Sequence, residues 1–271
     1  MSFLLKSPLR EAESSAEQGD FTLLLDAGED AQRVVERVAE LGMRRQGVHA
    51  VRLKGQDCDG LAELAVRAFF HGAYRISKDA LRAPIKNVFA ARDALCDYGE
   101  GALCIECDQD VSKGVKRGLL LARCEGYART LGNLPNNFLH VREMARYLSD
   151  MAEDCGLSCR ILGGRELREL GCGGILAVNQ GSADEANLAV LEYRPEGTEG
   201  VNVALVGKGV MFDTGGYHLK DTDGMKGMHC DMCGAANVAE VMEYLARTGG
   251  SQSVAAVLPL VENVISADAV K

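Results

Sequence analysis

The run from Val201 to Ala236 constrains the fold more than any other part of the chain. An apolar strand, Val201–Val206, enters the glycine-rich turn Gly207-Lys208-Gly209 and continues as Val210-Met211-Phe212-Asp213-Thr214-Gly215-Gly216-Tyr217-His218-Leu219-Lys220. Met225-Lys226-Gly227-Met228-His229-Cys230-Asp231-Met232-Cys233-Gly234-Ala235-Ala236 follows, with Asp231 at the mouth of an apolar helix. Taken singly, a turn aspartate is usually an Asx turn and a lysine a solvated surface residue. In this order, within one strand–turn–helix segment, Lys208, Asp213, Lys220 and Asp231 read instead as a candidate site. Hard divalent cations take oxygen ligands and lower the pKa of a nearby amine, so a lysine can join carboxylates as a donor. Small residues on either side let the backbone approach closely.

The two segments, VGKGVMFDTGGYHLK and MKGMHCDMCGAA, resemble the signature of the leucyl aminopeptidase (cytosol aminopeptidase) family, and Tyr217 its peptidase B branch. That signature reads VGKG-x-x-FDSGG-x-x-x-K and M-K-x-DM-x-GAA. Thr214 replaces the usual serine and keeps the hydroxyl, and the spacing from Met225 to Asp231 is slightly longer here. Gly132-Asn133-Leu134-Pro135-Asn136-Asn137 is similar to the junction where the family's catalytic domain begins. Ile175 to Ser182 is similar to its L-A-V-x-x-G-S segment. The resemblance covers about residues 60–271 and is strongest from 201 onward.

By residue-by-residue resemblance, Lys208, Asp213 and Asp231 are implied metal ligands, with Asp213 bridging two ions. Lys220 is implied as the catalytic lysine that polarises the scissile carbonyl. The implied cofactors are two divalent ions, Mn²⁺ or Zn²⁺, with Mg²⁺ a further option. The implied partners are peptide substrates and, through homohexamer assembly, other copies of the chain. Two such cations can activate a water, hold a substrate amine and spread oxyanion charge. The family completes its centre with an N-T-D-A-E-G-R segment, which occurs nowhere in these 271 residues. The sequence thus reads as a C-terminally truncated member with an incomplete site, an uncovered sheet edge and poor solubility. The rival reading is an inactive fragment or pseudoenzyme that acts only by binding.

A net charge of −9 argues against a general nucleic-acid binder. No apolar run of about 18 residues offers a membrane span, and the N-terminus is polar too soon for a signal peptide, so a cytoplasmic address is expected. Ten cysteines include two C-x-x-C pairs, Cys104/Cys107 and Cys230/Cys233. They stand too far apart for a zinc ribbon, and reduced, buried thiols are the expectation. His218 and His229 are left as non-ligands. No G-x-G-x-x-G fingerprint supports a dehydrogenase.

Alternating periodicities predict an α/β fold with an N-terminal α/β domain over 21–110, after a loose arm at 1–20, and the resemblance implies that 111–271 form the first part of an α/β/α catalytic domain. Strands are expected at 21–25, 48–53, 86–90, 102–106, 157–162, 187–193, 201–206 and 254–261. Residues 187–193 and 201–206 carry a hairpin-type signal around Pro195-Glu196-Gly197. Helices are expected at 29–41 (ended by Gly42), 61–74, 112–131, 142–154, 166–170 and 235–247, the last buried almost all round.

Overall fold

A computed structural model describes residues 2–6, 10–12 and 21–269. It divides into two compact units, Met1–Arg82 with Asp93–Gly126 and Ala83–Arg92 with Tyr127–Lys271.

The first unit is built on strands β1 (Ser2–Lys6), β2 (Arg10–Ala12) and β3 (Phe21–Asp26), helix α1 (Ala31–Met43), strand β4 (Val48–Lys54) and helix α2 (Cys58–Ala73). The short β5 (Arg75–Ile76), helix α3 (Val88–Leu95), β6 (Cys96–Asp97), β7 (Ala102–Glu106) and helix α4 (Ser112–Asn133) follow, α3 and α4 each running from one unit into the other. The main sheet has the order β2-β1-β7-β4-β3, with β3, β4 and β7 parallel and β1 antiparallel to its neighbours. Its core is aliphatic and aromatic: Leu5, Leu25, Val51 and Ile105 from strands meet Phe69 and Phe70 of α2.

Ser2–Lys6 and Arg10–Ala12 correct the expected loose arm. Leu4 and Leu5 are buried and anchor β1 along β7 despite the polar residues around them. Residues 7–9 and 13–20 of that arm lie outside the described residues. Ser112–Gly126, which the sequence assigns to the second domain, belongs to the first unit. Gly114 and Gly118 of α4 lie against the backbone of Asp59 and Glu63 in α2, and Arg117 pairs with both carboxylates at 3.0 and 2.5 Å. Gly42 does not end α1 but sits within it, where the helix crosses α2. A Cβ at Gly42 would lie 1.9 Å from the Phe69 carbonyl oxygen, and one at Gly72 would lie 2.0 Å from that of Ala39. Residues 86–90, expected as a strand, instead open α3. Asn87 accepts the Ala90 N–H at 3.1 Å, and Ala90 and Ala91 favour the helix that this cap starts.

The second unit continues with helix α5 (Val141–Cys155), β8 (Ser158–Leu162), helices α6 (Gly164–Glu169) and α7 (Gly173–Val178), and strands β9 (Asn187–Tyr193), β10 (Val203–Val206) and β11 (Gly209–Asp213). Helices α8 (Thr222–Met225) and α9 (Cys233–Thr248) then lead to β12 (Val254–Asn263). β9 and β10 do not form the hairpin that their spacing suggests. Both pair with β12, β9 antiparallel and β10 parallel, in the order β10-β12-β9-β8. At ten residues β12 is the longest strand described, and its buried Ala256, Leu258 and Leu260 make it the natural centre of the sheet. β11 pairs with the second half of β12, as β10 does with the first. β10 and β11 are therefore one edge line broken at Gly207-Lys208.

Helix α9 is not buried all round. Ala235, Ala236, Ala239 and Met242 face inward while Val241 is about half exposed. Glu240 and Glu243, two of its few charged residues, are buried. Glu243 is gripped by Arg92 at 2.6 and 3.1 Å and by Arg247 at 2.8 Å. The Arg92 guanidinium stacks between the rings of Phe89 and Tyr127 at 4.0 and 4.2 Å. Glu240 accepts the Tyr147 hydroxyl at 2.5 Å.

Candidate metal centre

The break between β10 and β11 places Lys208, the first of the expected donors. Gly207 N–H still bonds to the Val257 carbonyl, but at Lys208 the ladder stops and the Lys208 carbonyl accepts Ala235 N–H from α9 at 2.9 Å. Strand and helix touch backbone to backbone here: a Cβ on Gly207 would lie 2.6 Å from Gly234 O, and one on Gly234 would lie 2.8 Å from Lys208 N. That is why glycine stands at 207, 209 and 234. The contact brings Lys208 Nζ within 2.6 Å of Asp231 Oδ1, on the turn before α9. The other oxygen, Asp231 Oδ2, is buried with no hydrogen-bond partner.

Asp213 ends β11, at the carboxyl end of the parallel set β10, β11 and β12, where α/β sheets bind ligands. Its Oδ1 accepts Gly215 N–H at 2.9 Å, an Asx turn, and the Asn263 amide at 2.7 Å. Gly215 has φ +77° and starts a loop that returns on itself, with Lys220 N–H bonding to the Thr214 carbonyl at 3.0 Å. A side chain at Gly215 would be strained by that φ and would collide with the His218 carbonyl. The loop carries Lys220 Nζ to 3.3 Å from Asp213 Oδ2. Burial pushes the Asp213 carboxyl up, but the Gly215 N–H, the Asn263 amide and Lys220 together hold it below its ordinary value. The Thr214 hydroxyl donates to the Asn263 carbonyl at 3.0 Å, fixing the loop to the end of β12.

Lys208, Asp213, Lys220 and Asp231 thus stand as two ion pairs, Lys208–Asp231 and Asp213–Lys220, on adjacent turns. Two carboxylates and an amine form a donor set that suits a hard or borderline cation, and the unpaired Oδ2 of Asp231 is an oxygen that such a cation would satisfy. Among the described residues, no three His, Cys, Asp or Glu side chains form a metal-binding group by themselves.

Sequence reasoning misses the residues behind Asp213. Asn263 holds it directly, and the preceding Glu262 is a buried carboxylate that accepts from Asn136 at 3.0 Å, Ser182 at 2.8 Å and the His140 ring at 3.0 Å. Its own N–H donates to Asn179 at 2.9 Å. Asn136 and Ser182 lie within segments singled out by sequence, but nothing local joins them to position 262. Beside the Gly215–Lys220 loop, a cleft of about 520 Å³ is lined by Ala177, Val178, Gly181, Tyr217, Val264 and Ile265.

Fold and site together define an α/β protein with amine and carboxylate side chains grouped at the carboxyl ends of parallel strands. Residues 126–271 match the catalytic domain of the cytosol aminopeptidase family, and the chain belongs to that family. It is 36% identical over 215 residues to a probable cytosol aminopeptidase of Chlorobium phaeobacteroides, covering 78% of this chain and 42% of that protein. To a probable cytosol aminopeptidase of Bacillus subtilis it is 42% identical over 166 residues, covering 61% of this chain and 33% of the relative. The chain thus spans less than half the length of these relatives. Among solved structures, the apo leucyl aminopeptidase of Trypanosoma cruzi superimposes with a TM-score of 0.68 at 27% identity, over 88% of this chain and 45% of that one. The bottromycin maturation enzyme BotP, in complex with Mn, shares the fold at a TM-score of 0.71 and 24% identity, over 93% of this chain and 61% of that one. Among the described residues, no helix is long and apolar enough to cross a membrane.

Proposed function

We propose that the chain carries catalytic machinery of a metal-dependent aminopeptidase that releases N-terminal residues from peptides. The observation that carries this reading is the pairing of Lys208 with Asp231 and of Lys220 with Asp213, at the carboxyl ends of parallel strands in a member of this family. Lys208, Asp213 and Asp231 would hold divalent ions, Mn²⁺ or Zn²⁺ with Mg²⁺ a further option. BotP, a structural neighbour, is in complex with Mn. Bound there, such ions supply Lewis acidity and an activated water.

The chain's own residues do the rest. Gly215, Asn263 and Lys220 hold the Asp213 carboxyl in place and below its ordinary value. Lys220, delivered by the returning loop, presents a cation where a scissile carbonyl would develop negative charge. The cleft beside Tyr217 would take an apolar substrate side chain. A cytoplasmic location, assembly as a homohexamer and completion of the donor set by residues outside these 271 belong to the same proposal.

In a protein that supplies the family's remaining donors, the expected result is Mn²⁺-dependent hydrolysis of leucine p-nitroanilide, abolished by Asp213→Ala and reduced in kcat by about two orders of magnitude by Lys220→Ala, while these 271 residues alone are expected to be inactive. Hydrolysis that survives Asp213→Ala would contradict the assignment. The rival reading is a protein that only binds. Peptide binding without turnover at any Mn²⁺ concentration would select it.

A further inference from the structure

The stretches Gly132–Asn137 and Ile175–Ser182 hold none of the proposed donors, yet both reach one buried side chain at the end of β12. The β9 ladder ends at the pair Leu260–Asn187, and on the other side β11 slips register between Val210 and Asp213. Regular pairing therefore does not fix the last residues of β12. A polar cage does. Glu262, 1% exposed, takes Asn136 and the His140 ring on Oε1, each at 3.0 Å, and the Ser182 hydroxyl on Oε2 at 2.8 Å. Its N–H goes to the buried Asn179 side chain at 2.9 Å. The turn Asn179–Gly181 is pressed on the chain just beyond, where a Cβ on Gly181 would come 1.7 Å from the Val264 carbonyl oxygen. The residue after Glu262 passes this fixation to the site. Asn263 gives its amide to Asp213 Oδ1 at 2.7 Å, and its carbonyl takes both the N–H and the hydroxyl of Thr214, at 2.8 and 3.0 Å.

We propose that Glu262 is a positioning residue of this site: caged by Asn136, His140 and Ser182, it fixes Asn263, and through Asn263 it sets where the Asp213 carboxylate stands. A carboxyl group suits the cage because both of its oxygens accept. An apolar side chain of similar size would leave the buried donors of Asn136 and Ser182 unpaired, and the strand end would move to satisfy them. Segments more than 75 residues before Glu262 in the chain thereby act on Asp213 without touching it. The positioning of Asp213 stands on this geometry alone, whereas its effect on a bound ion rests on the donor reading of Asp213. Residues behind a ligand govern affinity by holding the ligand in one orientation.

The test follows the Asn263 side-chain amide by nitrogen-15 NMR of the full chain, its signal assigned by its loss in Asn263→Ser. Glu262→Leu keeps much of the volume and removes both acceptors. Ser182→Ala removes one donor and decides the matter if Glu262→Leu fails to fold. Each is expected to shift the Asn263 amide and to speed its hydrogen exchange several-fold. Glu262→Gln still offers an acceptor to Asn136 and can donate to Ser182, so it should return the wild-type signal. In Mn²⁺ titrations Glu262→Leu should bind about tenfold or more weakly, with Glu262→Gln close to wild type. Met151→Ala, a buried change in α5 of the same unit, should lower the melting temperature and leave Mn²⁺ affinity alone. An unmoved Asn263 amide in a folded Glu262→Leu or Ser182→Ala chain overturns the positioning. Unchanged Mn²⁺ affinity in Glu262→Leu, or an equal loss in Met151→Ala, overturns the effect on the ion. A wild-type chain that binds no Mn²⁺ overturns the donor reading, and the amide signal still decides whether Glu262 positions Asp213.

Discussion

Glu240 is fully buried on α9, beside the Glu243–Arg92–Arg247 cluster, and its Oε2 has no hydrogen-bond partner. Burial, reinforced by the neighbouring Glu243 charge, pushes its carboxyl from an ordinary 4.5 up to about 8, against the Tyr147 hydroxyl and the two arginines. Because the folded value lies above the unfolded one, the stabilisation is fully present below pH 4.5 and is lost as pH rises through about 8. Glu240→Gln cannot titrate, so its thermal stability should be flatter than wild type between those values and should exceed it at pH 8. Parallel melting curves across that window check this, and identical slopes would refute it. Asp213 has the opposite sign. Held below 3.8, it contributes stability above its unfolded pKa and loses it as pH falls through the folded value. Asn263→Ala removes one of the bonds responsible and should move the Asp213 carboxyl resonance, followed by carbon NMR, back toward the ordinary range. An unmoved titration would mean that Asn263 does not position Asp213.

At the scale of elements, the crossing of α1 and α2 is set by two glycines, Gly42 and Gly72, the first of which a sequence reading takes for a helix stop. Gly42→Ala and Gly72→Ala each drive a methyl into the facing backbone carbonyl. Each should therefore destabilise the protein by about 2 kcal/mol or more, despite alanine's better helix propensity. Denaturant midpoints read this, and a stabilised Gly42→Ala would show that the helices separate freely. Arg92 offers a second check. Arg92→Ala leaves Glu243 fully buried with Arg247 as its remaining partner, and a loss of about 3 kcal/mol or more is expected in the same measurement. What could be read from sequence at this scale follows from how local the cause is. Strands β3, β4, β7, β9 and β12 and helices α2, α4, α5 and α9 follow from periodicity. The pairing of β9 and β10 with β12 does not, because the Pro195-Glu196-Gly197 turn signal is local and the choice of partner is decided by a strand some fifty residues further on. Likewise Lys86–Ala90 reads as a strand until the Asn87 cap is considered.

For the whole molecule, the chain comprises two compact α/β units, and the proposed chemistry lies within the second. Lys208, Asp213, Lys220 and Asp231 are visible in the sequence because they fall within 24 consecutive residues of a recognisable signature. Glu262, Asn263 and His140 are not, because their contacts to one another and to Asp213 span 50 to 122 residues without a motif. The buried carboxylates of α9 also escape, since only the tertiary structure shows that Arg92 reaches Glu243 from 151 residues away. The account's central claim, that Lys208, Asp213 and Asp231 are metal donors, is tested most directly by Mn²⁺ binding to the chain, followed by electron paramagnetic resonance. Wild type should bind, while Asp213→Asn and Asp231→Asn should each weaken binding by about tenfold or more. Mn²⁺ affinity unchanged by both substitutions would contradict the account.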